Sequence, residues 1–391
     1  MYDVASPHDP LLTDEQTAIR ELARQFTAAE VLPLANELDA EGGDIPMSLR
    51  DKMSDLGFFG LLIPEEHGGL GLGVLEYALV TEELARGWMS VASLMARGQQ
   101  FTAGLSDAQR LKYLPAMARG DFLGAFALSE PDAGSDVANL STRAVPDGAG
   151  WRITGQKMWC TFADGADYLQ VFARTSPRDP QRRAAGISCF IVPKARGELP
   201  EGVTGTPVRK IGYFGWKTWE LSLDNVRAEP EHLVGELGRG FAVAMGDLTL
   251  ARIHTGARAI GLARAGLEDA LRYARERVQF GRPIGENQVI RFKLATMAAE
   301  VTAARAQLHT LCRQVDAGYS DPVAASMLKY TTTEMAERVT SESLQIHGGA
   351  GYTTDFAIQR HWRDARLTKI FEGTSEIQLR IISDALLGKS G

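Results

Sequence analysis

Hydrophobic residues recur with helical spacing through the first third of the chain. The spacing i, i+3, i+4, i+7 is met by Ile19, Leu22, Ala23 and Phe26, and residues 75–95 repeat it. Pro64 and a glycine-rich stretch at 68–73 interrupt the pattern, as a surface loop would. The pattern predicts a first domain made of helices.

From about residue 122 the pattern changes to short segments rich in β-branched and aromatic residues. The predicted strands cover residues 151–161, 168–175, 186–193 and 219–223. Clusters of turn residues at 147–150 and 176–180 separate them. This part of the chain is therefore predicted to be a small antiparallel β domain.

Long helical patterns return after residue 233. One apolar stripe is formed by Leu262, Leu267, Leu271 and Ala274, and it ends before Gly281 and Pro283. Further helices are predicted near residues 287–317, 321–347 and 374–387. We predict a mainly α protein with a β domain: an N-terminal helical domain (1–121), a middle antiparallel β-barrel-like domain (122–232) and a C-terminal four-helix bundle (233–391).

The charge of the chain narrows the classes of ligand. Its formal net charge is -7 and its pI is about 5.6, so it has no general attraction to nucleic acid or to an anionic membrane. A negatively charged ligand needs a local basic pocket. No apolar run approaches the roughly 20 residues that span a bilayer, and residues 1–13 lack the features of a secretion signal. We expect a cytoplasmic protein that binds neither nucleic acid nor membrane.

Cysteine and histidine spacing favours neither a disulfide framework nor a metal site. The three cysteines at positions 160, 189 and 312 are odd in number and far apart, so buried thiols are expected. The seven histidines are scattered outside any HExxH or CxxC pattern. We therefore expect no bound metal.

Two segments at the start of the β region are suited to binding a ligand. Residues 126–136 read FALSEPDAGSD, a turn whose small residues leave backbone N–H groups free, although such residues enrich all turns. Trp159 and Thr161 share one face of a predicted strand, where an indole and a hydroxyl could pack on a flat heteroaromatic ring. The alternative is a core tryptophan beside a strand threonine.

Two later segments lie at the ends of predicted helices. Residues 275–285 close a long helix, where Arg275 and Arg277 either complement the helix dipole or, for Arg277, hold a diphosphate. The glycines of residues 345–352, which read QIHGGAGY, either cap a helix or let a phosphate lie against the backbone. The residues alone leave both alternatives open.

Glu372 lies at a junction between two predicted helices. It precedes Gly373, and either Thr374 or Ser375 is the predicted N-cap of the second helix. A lone glutamate at such a junction is usually a solvated carboxylate. Only its combination with the other segments gives it a functional interpretation.

The order and the residues of these segments resemble the motifs of the acyl-CoA dehydrogenase family. Members carry a TEPxxGSD loop, a WIT strand, an RxxFG turn, a QxxGGxG(F/Y) turn and a YEGT box. The corresponding residues here are 129–136 (SEPDAGSD), 159–161 (WCT), 277–281 (RVQFG), 345–352 and 371–374 (FEGT). Each box alone is weakly specific, but five boxes in this order span nearly the whole chain.

The resemblance implies a bound FAD and a homotetramer built as a dimer of dimers. The residues matched to FAD contacts are Phe126, Leu128, Ser129, Gly134, Ser135, Trp159, Thr161, Arg277, Gln279, Phe280, Gln288, Gln345, Gly348, Gly349, Thr374 and Glu376. Within this set, residues 277–280 and 345–349 correspond to positions that reach the FAD of a neighbouring subunit. An electron-transferring flavoprotein is implied as the partner that reoxidises the flavin.

Glu372 matches the catalytic base of the family. The implied reaction is α,β-dehydrogenation of a short or branched acyl-CoA to the 2-enoyl-CoA, by α-proton abstraction and transfer of the β-hydride to flavin N5. Hydrogen bonds to the thioester oxygen would stabilise the developing enolate, and desolvation would raise the pKa of Glu372. Some relatives carry the base beside the residue that matches Arg252, but residues 248–252 contain no carboxylate.

Ser135, Arg97, Arg252 and Gly373 match positions that contact the acyl-CoA substrate. Thr249 replaces an aspartate that many members carry three residues before the arginine, which departs from the usual polar contacts to CoA. Arg97 falls near the floor of the acyl pocket, where it could pair with the distal carboxylate of a short dicarboxylyl-CoA. Residues 93–97 and 211–217 are similar to those of methylsuccinyl-CoA dehydrogenases. The alternative is a surface or structural Arg97 in an enzyme for ordinary short or branched acyl-CoA.

Other activities on the same scaffold remain as alternatives. An acyl-CoA oxidase is usually much longer than 391 residues. A lyase or flavin monooxygenase typically loses the base, whereas Glu372 is intact. A non-catalytic protein that binds flavin or CoA would leave the flavin oxidised when acyl-CoA is added.

Overall fold

The first part of the chain is helical, as predicted. The computed structural model describes residues 9–99, 102–246 and 248–388. The helices before the sheet are α1 (Asp14–Phe26), α2 (Leu32–Leu38), α3 (Met47–Asp55), α4 (Val74–Gly87), α5 (Met89–Ala96) and α6 (Asp107–Ala118). A π-helical turn, Thr27–Val31, joins α1 to α2, where Pro33 has no N–H to continue the regular bonding pattern. The Thr13 side chain caps α1 by accepting from the Gln16 N–H.

The middle of the chain forms one sheet. Its strands are β1 (Gly124–Ala127), β2 (Arg143–Asp147), β3 (Gly150–Thr161), β4 (Tyr168–Arg174), β5 (Ile187–Pro193), β6 (Val203–Pro207), β7 (Thr218–Ala228) and β8 (Leu233–Val234). Among the described residues the order is β6-β7-β3-β2-β4-β5-β8, an open path, with β1 beside β4. Most pairs are antiparallel, but β1 and β2 each run parallel to β4. The sheet is thus mixed at this point and is not a closed barrel within the described strands.

Helices return after the sheet. They are α7 (Gly240–Gly246), α8 (Leu248–Glu276), α9 (Gln288–Asp316), α10 (Pro322–His347), α11 (Ile358–Thr368) and α12 (Ser375–Leu387), with a short hairpin of β9 (Val278–Gln279) and β10 (Arg282–Pro283) after α8. Helix α8 packs against α4, α9, α10 and α11 at the centre of the largest hydrophobic core. The predicted mainly α fold with a β domain is therefore confirmed.

A buried ion-pair network joins the first helices to the C-terminal bundle. Arg264 on α8 donates to Glu82 and Glu83 on α4, and Arg305 on α9 also donates to Glu82, at 2.7 to 3.2 Å. Burial opposes ionisation of Glu82, but the two arginines lower its pKa to about 2. Removing Glu82 would take away the carboxylate that the buried Arg305 pairs with, so the network fixes how α4, α8 and α9 pack.

The three cysteines are buried thiols, as the sequence predicted. No helix in the described part of the chain is both long and apolar enough to span a bilayer.

Candidate active site

Glu372 lies in a tight turn between α11 and α12. Its φ is +54° and that of Gly373 is +88°, so two successive residues adopt the left-handed region. Thr374 is the N-cap of α12, and its side chain accepts from the Ile377 N–H at 3.3 Å. The buried Lys329 of α10 donates to the carbonyl oxygens of Gly373 and Thr368. The Lys329 ammonium thus stabilises the strained turn through its backbone carbonyl groups.

The Glu372 carboxylate is bound by two side chains of α8. Nη2 of Arg258 lies 2.8 Å from each carboxylate oxygen, and the Thr255 hydroxyl donates to Oε2. Thr255 and Arg258 have the i, i+3 spacing, so both project from the same face of the helix. The Arg258 side chain is 1% exposed and that of Glu372 is 32% exposed. The carboxylate is thus open to solvent on one side and closed by Arg258 on the other, and we call the partly open space in front of Glu372 the recess.

These contacts set the ionisation of Glu372. Burial by itself raises the pKa of a carboxyl group, but the Arg258 guanidinium and the Thr255 hydrogen bond outweigh it and lower the pKa of Glu372 to about 2. Burial lowers the pKa of the neighbouring His254 well below its usual value. Near neutral pH the site therefore contains an ionised Glu372 and a neutral His254.

Arg97 lies beside the same recess, at the C-terminal end of α5. Its guanidinium carbon is 5.5 Å from the centre of the Trp216 ring. Burial lowers the pKa of Arg97, while Tyr213 and the charge of Glu372 act in the opposite direction. Arg97 is thus partly buried beside Trp216.

Aromatic rings connect the sheet to the Glu372 turn. Phe162 follows β3 and lies 5.7 Å from Trp216, Trp216 lies 5.2 Å from Tyr213, and Tyr213 lies 5.8 Å from Phe371, all between ring centres. Phe371 directly precedes Glu372. The chain of rings brings the end of β3 and the glutamate turn to one recess.

The segment 126–136 and strand β3 are joined around a buried ion pair. Lys157 Nζ lies 2.9 Å from Glu130 Oε1 and 3.0 Å from the Leu128 carbonyl oxygen. The Met158 N–H also donates to the Ser129 carbonyl at 2.9 Å. The first two predicted segments are therefore neighbours in space, although more than 20 residues separate the paired side chains.

Strand β3 presents an indole and a hydroxyl beside that loop. Trp159 is 57% exposed, whereas Cys160 is fully buried. A bulge between Lys157 and Cys160 accompanies the φ of +62° at Trp159. The Thr161 hydroxyl lies 3.0 Å from that of Thr218.

The other two predicted segments lie together at the far end of α8. The Tyr273 and His347 rings stack at 4.4 Å, which brings the ends of α8 and α10 together. Phe280, in the β9–β10 hairpin, has a φ of +52° and is fully exposed. Arg277 is 19 residues beyond Arg258, a separation of about 28 Å at 1.5 Å per helical residue. Within one protomer, these segments are not brought to Glu372.

The remaining predicted residues occupy separate places. Arg252 is buried on α8, and its Nη1 donates to the Pro322 carbonyl at 3.2 Å, while its Nε has no acceptor among the described residues. Gln288 is exposed at the start of α9, beside a groove of about 440 Å³ between α9 and α10. Ser135 and Gly134 are exposed on their loop, and Glu376 is exposed in the first turn of α12.

Three family models match successive parts of the chain. "Acyl-CoA dehydrogenase, N-terminal domain" matches residues 13–121, "middle domain" residues 125–226 and "C-terminal domain" residues 238–387. The chain belongs to the acyl-CoA dehydrogenase family. Members are FAD-dependent oxidoreductases that act on CH–CH groups.

Relatives of several named activities match over almost the entire chain. An acyl-CoA dehydrogenase of Bacillus subtilis is 39% identical over 96% of this chain and 99% of its own length. A 3-(aryl)acrylate reductase of Clostridium sporogenes is 38% identical over the same shares. A (2S)-methylsuccinyl-CoA dehydrogenase of Cereibacter sphaeroides is 37% identical over 96% of this chain and 70% of its own.

Solved structures agree with the acyl-CoA dehydrogenase fold. Butyryl-CoA dehydrogenase from Megasphaera elsdenii superimposes with a TM-score of 0.91 at 36% identity, covering 97% of this chain and 100% of that chain. A glutaryl-CoA dehydrogenase in complex with glutaryl-CoA gives 0.89 at 33%, covering 98% of both chains. A structure described as the electron transferring flavoprotein of Acidaminococcus fermentans contains a chain that gives 0.91 at 35%, covering 97% and 100%.

The surface around β3 fits a large, flat cofactor such as FAD. An exposed indole, a nearby hydroxyl and a loop glycine, Gly134, with no atom within 4 Å of the position of a side chain, leave room for a ring and its ribityl chain. Gly348 and Gly349 are equally open at the far end of α8, where a diphosphate would meet backbone. Residues of this kind suit FAD in both its aromatic and its anionic part.

Sequence reasoning missed the residues that surround Glu372. Arg258, Thr255, Lys329 and Tyr213 were not among the predicted site residues. Arg258 had a signal in the sequence, because it interrupts a run of small apolar residues at 256–263 that a helical pattern places in the core. A charged residue within such a run is rarely buried unless it has a partner. Its partner, 114 residues away, was visible only in the fold.

Proposed function

We propose that this enzyme removes the α and β hydrogens of a short or branched acyl-CoA thioester to form the 2-enoyl-CoA, with Glu372 as the base. One observation supports this most: the partly exposed Glu372 carboxylate directly follows Phe371, and ring contacts connect Phe371 to Phe162, three residues after the exposed Trp159. A thin acyl thioester between these surfaces would have its α carbon at the carboxylate.

The residues of this chain would act in a fixed order. Binding of the acyl group expels water from the recess, which raises the pKa of Glu372 and strengthens it as a base. Glu372 then takes the α-proton, while the N–H of its own strained turn can donate to the thioester oxygen and stabilise the enolate. Bound FAD supplies the acceptor for the β-hydride.

We propose that FAD is held by two protomers. Its flavin end would contact Phe126, Leu128, Ser129, Ser135, Trp159 and Thr161 of one protomer, and Thr374 and Glu376 would contact the adenine half. The exposed residues Arg277, Gln279, Phe280, Gln288, Gln345, Gly348 and Gly349 would reach the FAD of a neighbouring subunit, which requires at least a dimer, and we propose a homotetramer built as a dimer of dimers. The approximately 28 Å between Arg258 and Arg277 along α8 supports this division.

We also propose which residues bind the CoA thioester and which protein accepts the electrons. Ser135, Arg252 and Gly373 would contact the substrate, and the free Nε of Arg252 offers a donor for an anionic group. An electron-transferring flavoprotein would accept the electrons, as is consistent with the similarity to a chain in the Acidaminococcus fermentans structure. The domain divisions at residues 121/122 and 232/233 belong to the same proposal.

The proposed activity is tested by mixing the purified flavoprotein with acyl-CoA thioesters without oxygen and following flavin bleaching. At least one short thioester should bleach the native protein, and Glu372→Gln should slow bleaching by about 10²- to 10⁴-fold, the range of general-base catalysis. Glu66→Gln, on a side chain that is 79% exposed, is the matched control. Native protein that stays yellow with every thioester would disprove the proposal.

A second candidate is a dehydrogenase for a short dicarboxylyl-CoA such as methylsuccinyl-CoA. The observation that favours it is the position of Arg97, partly buried at the recess and without a carboxylate partner among the described residues. Butyryl-, isobutyryl-, glutaryl- and methylsuccinyl-CoA should be compared in native and Arg97→Ala protein. Loss confined to the acidic thioesters supports the pairing, and equal loss on all four removes it.

A further inference from the structure

Arg258 is the most tightly held cation in the recess. Its Nη2 contacts both oxygens of Glu372 at 2.8 Å and Thr255 Oγ1 at 3.0 Å, and its Nη1 lies 2.7 Å from Ser93 Oγ. The Phe371 ring centre lies 4.7 Å from its guanidinium carbon. Its Nε has no acceptor among the described residues, so one donor remains unused.

A carboxylate bound in this way is a poor base. Charge-assisted hydrogen bonds occupy the oxygens that would receive a proton and stabilise the ionised form. A group that removes an α-hydrogen from a thioester needs a pKa much closer to that of its substrate. Glu372 should therefore remove the α-proton faster when Arg258 leaves it or is neutralised.

The charges around the recess do not balance. Arg258 and Arg97 are two cations, Glu372 is one anion, and the pKa of His254 is lowered by burial so that it is neutral near pH 7. Lys329 adds a further ammonium, directed to backbone carbonyls of the turn. Within the described residues, the acyl end of the site thus has at least one unpaired positive charge.

Tyr213 and Ser93 connect the two arginines. Ser93 accepts from Arg258 and donates to the Met89 carbonyl at 3.0 Å. Burial raises the pKa of Tyr213, whereas Arg258, Arg97 and a hydrogen bond with Ser93 act against that rise. An anion that enters here would meet both guanidinium groups and a phenol.

We propose that the substrate supplies the missing anion: the distal carboxylate of a short dicarboxylyl-CoA binds Arg258 together with Arg97, and thereby releases Glu372 to act as the base. This inference rests on the proposed role of Glu372 in acyl-CoA dehydrogenation. Arg258 is then a positioning residue that exchanges one carboxylate partner for another. Because Arg258 touches Glu372, the distal carboxylate has to lie only a few bonds from the α carbon.

The mechanism makes selectivity a property of the chemical step. A neutral acyl group can fill the recess, but it leaves Arg258 on Glu372, so proton abstraction is slower than with an acidic acyl group. An acidic acyl group forms its own ion pair with Arg258, and this ion pair offsets the free energy needed to separate Arg258 from Glu372. Neutral and acidic thioesters of equal size should therefore differ in the limiting rate of flavin reduction more than in binding.

The test uses FAD-loaded enzyme in anaerobic stopped-flow with glutaryl- and methylsuccinyl-CoA, each beside the thioester in which the distal acid is an amide. At saturation, native protein should reduce its flavin at least about 100-fold faster with the acid than with the amide, the lower end of a general-base effect. Arg258→Gln should slow the acid and accelerate the amide, so that the ratio falls below about tenfold. Arg272→Gln, an exposed arginine of α8, should leave the ratio unchanged.

The pH profile separates this role from a structural one. With the acidic thioester, the limiting rate should rise with pH through the raised pKa of the freed Glu372. With the amide, the native protein should give a flat profile between pH 6 and 9, because the pKa of the Arg258-paired Glu372 stays low. In Arg258→Gln, the limiting rate with the amide should also rise with pH.

Three outcomes decide the matter. Equal limiting rates for the acid and the amide in native protein would overturn the inference. An acid-to-amide rate ratio that is unchanged in FAD-containing Arg258→Gln would also overturn it. If no thioester reduces the native flavin, it is the proposed dehydrogenase activity that fails. The native comparison still decides if Arg258→Gln does not fold.

Discussion

Lys157 Nζ lies 2.9 Å from Glu130 Oε1, and the two side chains are 0% and 5% exposed. The same carboxylate accepts from the N–H groups of Ser141 and Thr142 at 2.6 and 2.9 Å. One buried ion pair therefore fixes the loop at 126–136, strand β3 and the start of β2 against one another. The surface that carries Trp159 depends on this pair.

Lys157→Met should destabilise the protein by about 3–5 kcal/mol, because it leaves the Glu130 carboxylate buried without its cation. The free energy of unfolding from urea titration measures the change. Arg152→Met is the matched control, since Arg152 is 46% exposed and pairs with Asp147 at the surface; its effect should stay below about 1 kcal/mol. Equal losses in the two variants would contradict the role given to burial.

Acid should weaken the same contact. Burial opposes ionisation of Glu130, but Lys157 and hydrogen bonds from residues 141–142 lower its pKa from 4.5 to about 2. Since the folded value is the lower one, the stabilisation is complete above about pH 4.5 and is lost as pH falls through about 2, a loss on the order of 3 kcal/mol. Urea midpoints from pH 6 to 3 should fall less steeply in Glu130→Gln. Parallel pH curves for native and variant protein would refute this.

Lys329→Met should impair catalysis through the shape of the Glu372 turn. The variant removes the donor to the Gly373 and Thr368 carbonyls, so the strained turn loses its support. A displacement of about 1 Å at the base can cost about 100-fold in rate. We expect the limiting rate of flavin reduction to fall while substrate binding changes much less.

Lys52→Met is the control for that variant, because Lys52 is 50% exposed and forms a surface ion pair with Glu30. Both proteins should keep FAD. A full limiting rate in Lys329→Met would show that the turn keeps its geometry without the ammonium.

Phe280→Ala should weaken FAD retention and assembly but not the fold of the protomer. The ring is fully exposed in the protomer, so its removal should change unfolding by less than about 0.5 kcal/mol. In the proposed tetramer the ring is covered by a neighbouring subunit. Flavin absorbance per chain and mass from light scattering after gel filtration measure the two losses.

Leu111→Ala, on a side chain of α6 that is 69% exposed, provides the comparison for Phe280→Ala. It should keep both FAD and mass. A Phe280→Ala protein with full flavin and native mass would remove Phe280 from the subunit interface.

Much of the fold was predictable because long periodic elements are dictated by local pattern. The helix predicted near 287–317 is α9 at Gln288–Asp316, and that near 321–347 is α10 at Pro322–His347. Short strands were missed: β1, β2, β6 and β8 were absent from the prediction. Short segments carry too few positions for a period to appear, and their pairing partners are distant in sequence.

The sequence by itself determined the fold class, the family and the FAD cofactor, because these depend on periodicity and on short motifs that keep their order. It also singled out Glu372. Only the tertiary structure decided what surrounds that carboxylate, since Arg258, Arg97, Tyr213 and Lys329 come from four separate parts of the chain. Charge interactions depend on distance in space and on burial, and neither is encoded by spacing along the sequence.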